Sequence, residues 1–483
     1  MRVRLFAAVA VAACVLYFFG LARMGLVGPD EPRYASIGRE MARSGDWVTP
    51  RLWGAPWFEK PALLYWMTAA GFRLGLDEDL APRLPVALAG LGFLAFYWRT
   101  LRRHFGPRAG WYAAAILGTS GTWVAYSSVG VTDLPMTAAF AAAMLVALDW
   151  VETGERRRLP LAAALLGAAV LAKGLVPVVL AAPLLLVRPR RALDWFRPFP
   201  VAAFLAVAAP WYLLCWLRNG APFIRTFFWQ HQLGRFASDA LKHEQPFWFY
   251  VPVLLAVLLP WTPLLAPALR RSLYKDRRCL LLLAWAMFGF LFFSASTNKL
   301  PGYLLPLLPA VAALMGIALE ASGRPAAALA SCAVMLLAIP VAVQVLPQAL
   351  AGGLSRVDAP QPAWWWLAPL ALSAVVWRMR TAERAMALVV VAAAAGLLYL
   401  KVAALPAIDK AVSARSLWRQ VAGRRDQVCM GEIHRAWAYG LNYYSVTPLP
   451  PCAEQPKPLR ITQERTGRGR PAPPALTVSP SSR

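Results

Sequence analysis

Charged residues are scarce in this chain of 483 residues, and acidic residues are the scarcest. Asp and Glu together number 24, against 50 Lys and Arg, and all charged residues make up only 15% of the chain while hydrophobic residues make up 59%. Soluble globular domains carry about 25% charged residues. Several apolar runs reach the roughly 20 residues that cross a bilayer as a helix. The composition therefore argues against a large soluble protein and predicts an all-α polytopic membrane protein.

Cysteine is also rare, with six in the chain and none in a CxxC or other metal-binding spacing. This excludes a cysteine-rich metal site. Four cysteines lie in or beside apolar runs, where a thiol acts as a small hydrophobic group. Cys429 and Cys452 instead lie in the polar C-terminal region. They could form a disulfide if that region faces an oxidising compartment.

The net charge of +26 comes largely from short arginine-rich loops between the apolar runs. In a soluble protein such a charge would suggest nucleic acid as the partner. Basic loops between spans are instead typical of the cytoplasmic side of a membrane protein. We therefore expect no nucleic-acid partner, and membrane lipids as the surroundings. The clusters lie at 99–108, 156–158, 188–191, 270–278 and 378–384.

Placing these clusters in the cytoplasm predicts the topology. The first span covers 5–27 and is not cleaved. Even numbers of crossings between successive clusters then give a total of about thirteen transmembrane helices, with the N-terminus inside and the C-terminus outside. The two arms between 158 and 188 are short for full crossings, which places Lys173 at their apex within the depth of the membrane. The predicted units are a transmembrane domain (1–405), a small extracytoplasmic C-terminal module (406–455) and a disordered tail rich in Pro, Gly, Arg and Ser (456–483).

The first outer loop, 28–81, holds a large share of the acidic residues and many Trp, Pro and Gly. Its segment "RYASIGREMARSGDW" has Tyr34, Ile37 and Met41 on one helical face, which predicts an amphipathic interfacial helix. The segment "PALLYWMTAAGFRLGL" begins with Pro61 at a favourable first helical position. It is too short to span, so we expect a second interfacial helix. Two such helices would cover a cavity that opens sideways to lipid.

Charged and phenolic side chains collect at the predicted outer ends of the spans. Charges at the edge of the hydrocarbon are costly and usually face a cavity. Each one alone could also be a solvated loop charge, but together they predict one outward-facing pocket. Bases can hold a phosphate leaving group, and a carboxylate can take a proton or hold a metal. The residues are Asp30, Glu31, Arg33, Glu59, Lys60, Arg83, Asp133, Lys173, Lys299 and Tyr303.

The run "PDEPRYASIGREMARSGDWVTPRLWGAPWFEKPALLYW" closely resembles the first periplasmic loop of the bacterial aminoarabinose transferases that act on lipid A. These enzymes are similar to protein O-mannosyltransferases and lie in the GT-C class of membrane glycosyltransferases. The segments "VTDLPM", "LAKGLVP", "QHQLGRFASDALKHEQPFWFYVPVLLAVLLPWTPLL" and "STNKLPGYLLPLLPA" follow in the same order as far as Pro309. The resemblance implies a GT-C fold, a polyprenyl (undecaprenyl) phosphate sugar donor, and transfer at the periplasmic face of a bacterial inner membrane.

The resemblance also implies roles for single residues. The first-loop acid of the family matches Asp30, with Glu31 beside it, and the family's FEKP element matches residues 58–61. The C-terminal domain looks shorter than in the aminoarabinose enzymes, and the common double proline after FEK is here Pro61-Ala62. The sugar therefore stays open, and so does the acceptor, which could be lipid A, another glycan or a protein.

The expected site falls into four sets. The catalytic residues are Asp30, Glu31 and Asp133. The donor phosphate is held by Arg33, Lys60, Lys173, Lys299 and Tyr303. The walls of the acceptor and donor pocket are Tyr34, Glu59, Arg83 and Arg235. Glu59 and His243 are a possible metal pair for Zn or Mn, the alternative being a hydrogen-bonded loop histidine and a salt-bridged Glu59.

Two other functions compete with this one. A flippase or transporter of lipid-linked sugars usually carries internal repeats and polar groups near the middle of the membrane, and the sequence shows neither. A catalytically dead relative is disfavoured by the intact acids.

Overall fold

The structure is a computed structural model that describes residues 2–233, 245–322, 325–464 and 472–478. It is almost entirely helical, because the apolar runs can satisfy their backbone hydrogen bonds within a bilayer only as helices. The α-helices are α1 (Arg2–Phe18), α2 (Asp30–Ser44), α3 (Leu63–Arg73), α4 (Leu84–Phe105), α5 (Pro107–Gly118), α6 (Gly121–Tyr126), α7 (Asp133–Val146), α8 (Leu148–Thr153), α9 (Leu159–Lys173), α10 (Val176–Leu180), α11 (Ala182–Val187), α12 (Pro198–Asn219), α13 (Ala221–Ile224), α14 (Tyr250–Val257), α15 (Leu265–Ala268), α16 (Arg277–Ala295), α17 (Leu308–Glu320), α18 (Pro325–Met335), α19 (Ala338–Gly352), α20 (Ala368–Arg378), α21 (Ala382–Val412), α22 (Arg415–Val421) and α23 (Arg435–Tyr444).

Shorter elements join these helices. The 3₁₀ segments are Pro189–Phe196, Phe247–Phe249, Thr262–Leu264, Arg271–Lys275, Pro301–Leu307, Leu354–Arg356, Trp364–Leu367 and Ala422–Gln427, and a π-helix covers Arg225–Leu233. The strands are β1 (Arg51–Leu52), β2 (Ala55–Pro56), β3 (Val428–Met430), β4 (Leu459–Thr462) and β5 (Ala475–Val478).

Within the described residues, 7 helical segments are long and apolar enough to cross a membrane, and an eighth is bent by 112° at its break. The polytopic all-α fold is thus confirmed. The segments α1, α9 and α10 with α11 are apolar but shorter than a full crossing. The total of about thirteen spans stays a prediction.

The first span differs from the predicted 5–27, because α1 ends at Phe18. Gly20 then adopts a φ of +83°, a left-handed conformation that ends a helix and that glycine adopts most easily. The carbonyls of Leu21 and Met24 accept hydrogen bonds from Arg83 instead of continuing the helix. Hydropathy alone cannot show such a break, since the residues after it are still apolar.

Small residues bring the helices of the core close together. A Cβ on Gly316 in α17 would lie 2.5 Å from the backbone of Ala113 in α5, and one on Gly110 would lie 2.6 Å from the backbone of Arg102. Close backbone approach at small residues is typical of helix packing in membranes. Helices α5, α7 and α17 contribute many of the buried side chains at the centre of the bundle.

The helix Asp133–Thr153 crosses the bundle and separates two chemically different ends. Asp133 lies in its first turn. Asp149 lies near its other end and pairs with Arg103 at 3.1 Å and Arg158 at 3.0 Å, both from the arginine clusters. Sixteen helical residues are about 24 Å long. The arginine clusters and the Asp133 end therefore lie at opposite ends of this helix.

The two interfacial helices of the first outer loop correspond to α2 and α3. The side chains of Tyr34, Ile37 and Met41 are buried, as the helical spacing predicts. Arg39 differs from the expectation, because it is also buried, with only 7% of its surface exposed. It is buried by the C-terminal module, whose Tyr443 carbonyl accepts a hydrogen bond from Arg39 at 2.6 Å.

The C-terminal module contains α22, α23 and a small sheet of order β3-β4-β5, with β3 parallel to β4 and β4 antiparallel to β5. Cys429 and Cys452 form a disulfide. The tail from 456 was predicted to be disordered, but β4 is the central strand of this sheet and β5 pairs with it. Leu459 and Ile461 on β4 are buried. This alternation of buried and exposed positions is too short to stand out in a segment rich in Pro, Gly and Arg.

The module is tied to the first outer loop by a buried polar network. Arg415 pairs with Asp79 at 2.7 Å and with Asp409 at 3.2 Å. Tyr444 donates to Asp79 at 2.8 Å, and its hydroxyl accepts from the backbone of Leu26 at 2.8 Å. Because buried polar groups must be satisfied, this network fixes the position of the module beside α2.

Candidate functional site

A chain of alternating charges lies at the start of α2 and the turn before α3. Arg33 pairs with Asp30 at 2.5 Å and with Glu59 at 3.0 Å, and Lys60 lies 3.7 Å from Glu59. Asp30 and Arg33 are three residues apart, so they share one face of α2. The side chain of Asp30 is 52% exposed, whereas that of Glu59 is 5% exposed. Asp30 is therefore the accessible end of the chain of charges.

Arg33 is surrounded by aromatic rings. Its guanidinium lies 5.3 Å from the ring centre of Tyr34, 5.6 Å from Trp57 and 5.3 Å from Tyr439. Burial alone would lower the pKa of Arg33, but the charge of Glu59 and further contributions from Tyr34 and Asp30 outweigh it and raise the pKa. The site therefore holds a permanent cation in a fixed orientation.

Several donors around this cluster have no hydrogen-bond partner among the described residues. They are Nε of Arg33, Nε1 of Trp53, Nε1 of Trp57 and the hydroxyl of Tyr65. Leaving a buried donor unsatisfied costs about 1–3 kcal/mol each. Such groups mark a place for a polar ligand. Their number and type suit the oxygens of a sugar or a phosphate.

A second ion pair lies beside the first. Lys173, in the last turn of α9, donates to Asp133 at 2.6 Å, and Asp133 lies in the first turn of α7. The ammonium group of Lys173 lies 5.3 Å from the ring centre of Tyr303. Leu171, two residues before Lys173, packs in one hydrophobic cluster with Phe58, the neighbour of Glu59, and Asp30 contributes to the electrostatic environment of Lys173. The two ion-paired groups thus belong to one site.

The loop that carries Tyr303 packs tightly at this point. A Cβ on Gly302 would lie 1.9 Å from the hydroxyl of Tyr126, so a side chain there would displace the Tyr126 ring. The electrostatic environment of Tyr126 includes both Asp133 and Tyr303. Gly302 and Tyr126 therefore set the position of Tyr303 against Lys173.

Glu31 and Arg83 form a separate, fully buried pair. Glu31 accepts from Arg83 at 2.6 and 2.8 Å and from the backbone of Val27 and Gly130 at 2.8 Å each. Arg83 also donates to the carbonyl of Gly25 at 2.9 Å. Both side chains are almost completely inaccessible. This geometry favours a structural role over the predicted catalytic role of Glu31 and pocket role of Arg83, because all their polar atoms are already occupied.

Lys299 is also held by protein groups. Its ammonium donates to the carbonyls of Gln245 at 2.9 Å and Ser296 at 2.5 Å, and the residue is 5% exposed. It therefore fixes the loop before Tyr303, and its predicted contact with the donor phosphate stays a prediction.

Arg235 and His243 lie outside the described residues. Within the part of the chain that the structure describes, no group of three His, Cys, Asp or Glu side chains could hold a metal ion. Glu59 is neutralised by Arg33 and Lys60. The described residues therefore do not fit a Zn or Mn site, and we derive no step through a metal.

Tyr34 has its predicted place in the wall, packed on Tyr65 with ring centres 5.9 Å apart. Burial raises the pKa of Tyr34, so its phenol stays neutral. Sequence reasoning missed Trp53, Trp57 and Tyr439. The tryptophan density of the first loop was a signal for the first two, whereas nothing in the sequence indicates that Tyr439 approaches a residue 406 positions earlier.

The polytopic helical fold is that of a GT-C membrane protein, and the candidate site lies at the Asp133 end of α7. The crystal structure of ArnT from Cupriavidus metallidurans bound to undecaprenyl phosphate is similar over 99% of this chain and 98% of that one, with a TM-score of 0.77 and 25% identity. The arabinosyltransferase EmbB from Mycobacterium smegmatis matches 90% of this chain and 42% of its own, with a TM-score of 0.53 and 13% identity, and shares the fold alone.

Sequence comparison agrees with the structural one. An undecaprenyl phosphate-alpha-4-amino-4-deoxy-L-arabinose arabinosyl transferase of Pseudomonas aeruginosa is 36% identical over 322 residues, which are 64% of this chain and 58% of that protein. A second enzyme of this name, from Pseudomonas fluorescens, is 39% identical over 326 residues, 64% of this chain and 55% of its own. The model of the dolichyl-phosphate-mannose-protein mannosyltransferase family matches residues 59–216. The chain is thus similar to the aminoarabinose transferases, as predicted, and these matches span under 60% of the length of the curated relatives.

Proposed function

We propose that the protein is an integral-membrane glycosyltransferase that moves a sugar from a polyprenyl phosphate carrier, such as undecaprenyl phosphate, to an envelope acceptor such as lipid A. The observation that carries the proposal is the joined pair of ion-paired groups, Asp30–Arg33–Glu59–Lys60 and Asp133–Lys173. It combines fixed cations for a phosphate with one accessible carboxylate for an acceptor. The similar ArnT structure is described as bound to undecaprenyl phosphate, which supports a carrier of the same class here.

The donor phosphate would lie between Arg33 and Lys173, with Lys60 beside them. All three cations are held by carboxylates, so they are oriented before the donor arrives. Preorganised cations stabilise the charge that develops on a leaving phosphate without further rearrangement. The unpartnered donors of Trp53 and Trp57 supply hydrogen bonds to the sugar or the phosphate.

Asp30 would take the proton of the acceptor. The acceptor oxygen attacks the anomeric carbon of the sugar, the bond from that carbon to the phosphate oxygen breaks, and the proton moves to the Asp30 carboxylate. Attack opposite the leaving phosphate inverts the anomeric centre. Asp133 acts through Lys173, which it holds at 2.6 Å. Asp133 is therefore a positioning residue in this proposal.

We also propose that the site faces the periplasm from a bacterial inner membrane. Asp133 lies in the site, and the other end of its helix pairs with the arginine clusters near Asp149. Because basic loops favour the cytoplasm, the site would lie on the opposite side.

The test is transfer by the full chain in proteoliposomes supplied with radiolabelled polyprenyl-phosphate sugar and purified lipid A. Wild-type protein should release polyprenyl phosphate and label the acceptor, and Asp30→Asn should do neither. Asp358→Asn, an exposed outer-loop carboxylate outside the site, is the matched control and should keep normal turnover. Movement of the labelled lipid across the bilayer without loss of its sugar would instead identify a flippase and defeat the proposal.

A second candidate is a protein O-glycosyltransferase of the same fold. The match of residues 59–216 to the dolichyl-phosphate-mannose-protein mannosyltransferase family favours it. The same assay with envelope protein in place of lipid A distinguishes the two, since label in protein but not in lipid would establish the second.

A further inference from the structure

Two adjoining cavities lie beside α2, where the C-terminal module meets the first outer loop. Their volumes are about 250 and 290 Å³. Both are lined by Arg39, Arg43 and Val446, so they share one wall. The first cavity also reaches Trp53, and the second reaches Arg73.

The two cavities together are lined by three arginines that lack ion-pair partners among the described residues. Among the residues described, none of the guanidinium groups of Arg39, Arg43 and Arg73 forms an ion pair with a carboxylate. The two acids of the cavities offset them only in part. Glu40 accepts from the backbone of Gly54 at 3.0 Å. Burial and the neighbouring Asp79 raise the pKa of the other acid, Glu78, and the charge of Arg39 offsets that rise only in part.

Arg39 is the most unusual of these groups. It is 7% exposed, lies 4.3 Å from the ring centre of Tyr443 and donates to that residue's carbonyl. Burial lowers the pKa of Arg39, and the nearby charge of Arg43 acts in the same direction. The charges of Glu78 and Glu40 act in the opposite direction without cancelling these effects. A buried cation that is compensated only in part is costly, and an anion in the cavity would offset that cost.

The rest of the shared wall is strained. Val446 has a φ of +69°, which is unfavourable for a β-branched residue. Its neighbour Thr447 lines the first cavity and accepts a hydrogen bond from Arg425, which adds another cation to the rim. Strained backbone of this kind often persists at ligand sites.

We propose that the two cavities form one anion site that holds a phosphate group of the acceptor, a phosphorylated glycolipid headgroup. The inference rests on the proposed function. Arg39 and Arg43 follow Arg33 on α2 by six and ten residues, which are about 9 and 15 Å along the helix axis. Trp53 connects the first cavity with the site around Arg33. It lines the cavity and stacks on Tyr439 with ring centres 5.7 Å apart, and Tyr439 in turn contacts Arg33. A headgroup with its phosphate in the cavity would thus present its reacting oxygen towards Asp30.

The test is equilibrium binding to the full chain in nanodiscs, with no turnover. The probes are a phosphorylated disaccharide glycolipid, the same lipid after removal of its phosphates, inorganic phosphate and undecaprenyl phosphate. The variant is Arg43→Gln with Arg73→Gln, since both side chains are exposed and their loss leaves the fold intact. The control is Arg356→Gln with Arg380→Gln, two exposed arginines remote in sequence, which removes the same number of charges.

The double variant should bind the phosphorylated glycolipid at least about tenfold more weakly than wild type, while the control and the affinity for undecaprenyl phosphate stay unchanged. Inorganic phosphate should displace the glycolipid from wild type. Equal affinity of wild type and double variant for the phosphorylated lipid would overturn the proposal. Equal affinity of wild type for the lipid with and without its phosphates would also overturn it. So would a wild-type protein that binds inorganic phosphate but does not bind the phosphorylated lipid. A failure of the proposed function shows instead as absent sugar transfer in proteoliposomes, with this charge-dependent binding retained.

Discussion

The pair Glu31–Arg83 offers a sharp test of which first-loop acid is structural and which is catalytic. Glu31 accepts four hydrogen bonds, two from Arg83 and one each from the backbone of Val27 and Gly130. In Glu31→Gln one carboxylate oxygen becomes an amide NH₂ group. This group faces N–H donors and cannot accept their hydrogen bonds. The charge opposite Arg83 is lost in the same step. The substitution therefore removes interactions inside the protein without opening the site.

The expected cost follows from this geometry. Removing one partner of a buried ion pair destabilises a protein by about 3–5 kcal/mol, because the remaining charge stays buried. We expect Glu31→Gln to lower the apparent melting temperature of the purified protein by several degrees. Turnover per folded molecule should be retained well below the melting point. Asp30→Asn, one residue earlier and half exposed, should do the opposite, with an unchanged melting temperature and no turnover.

Scanning fluorimetry in detergent measures the first quantity, and sugar transfer in proteoliposomes measures the second. A matched double variant, Glu31→Gln with Arg83→Gln, tests the coupling, and its destabilisation should be smaller than the sum of the two single effects. The reasoning is refuted if Glu31→Gln melts like wild type and loses turnover, since that would make Glu31 a catalytic group.

Three further predictions concern other parts of the site and the module. Lys173→Gln should abolish transfer and weaken binding of undecaprenyl phosphate, because it removes one of the fixed cations; unchanged carrier binding would contradict this. Replacing Cys429 and Cys452 by serine opens a loop of 23 residues and should destabilise the module by about 3 kcal/mol, seen as faster proteolysis of the C-terminal region. The raised pKa of Glu78 in the folded chain means that its contribution to stability is greatest at acid pH and is lost as pH rises through that pKa; Glu78→Gln should therefore raise the melting temperature at neutral pH and leave it unchanged at acid pH.

The sequence predicts the fold well where one physical rule dominates. Long apolar runs must become helices in lipid. The i, i+3, i+7 spacing of Tyr34, Ile37 and Met41 on α2 needed only local information. The grouping of Asp30, Arg33, Glu59 and Lys60 could likewise be expected, since all four come from one loop, whose side of the membrane the arginine clusters predict.

Other features depend on contacts between distant segments. The end of α1 at Phe18 depends on a turn at Gly20 and on carbonyls held by Arg83. Asp30 and Glu31 are neighbours in sequence, but their surroundings differ, because α2 leaves Asp30 half exposed and turns Glu31 into the bundle. No local pattern distinguishes two adjacent acids, so the site could be predicted as a group but not residue by residue.

The ion pairs of the site also explain how acceptor activation and carrier release can be coupled. Before reaction, Arg33 is shared between Asp30 and Glu59. In the proposed reaction Asp30 takes a proton and loses its charge, so its attraction for Arg33 falls. In the same step the carrier phosphate gains negative charge as its bond to the sugar breaks. The guanidinium of Arg33 can then interact more strongly with the phosphate and less strongly with Asp30, while its ion pair with Glu59 keeps it in place. The total charge of the site is thus conserved through the transfer, and no charge is left unpaired at the edge of the hydrocarbon, where it would be most costly.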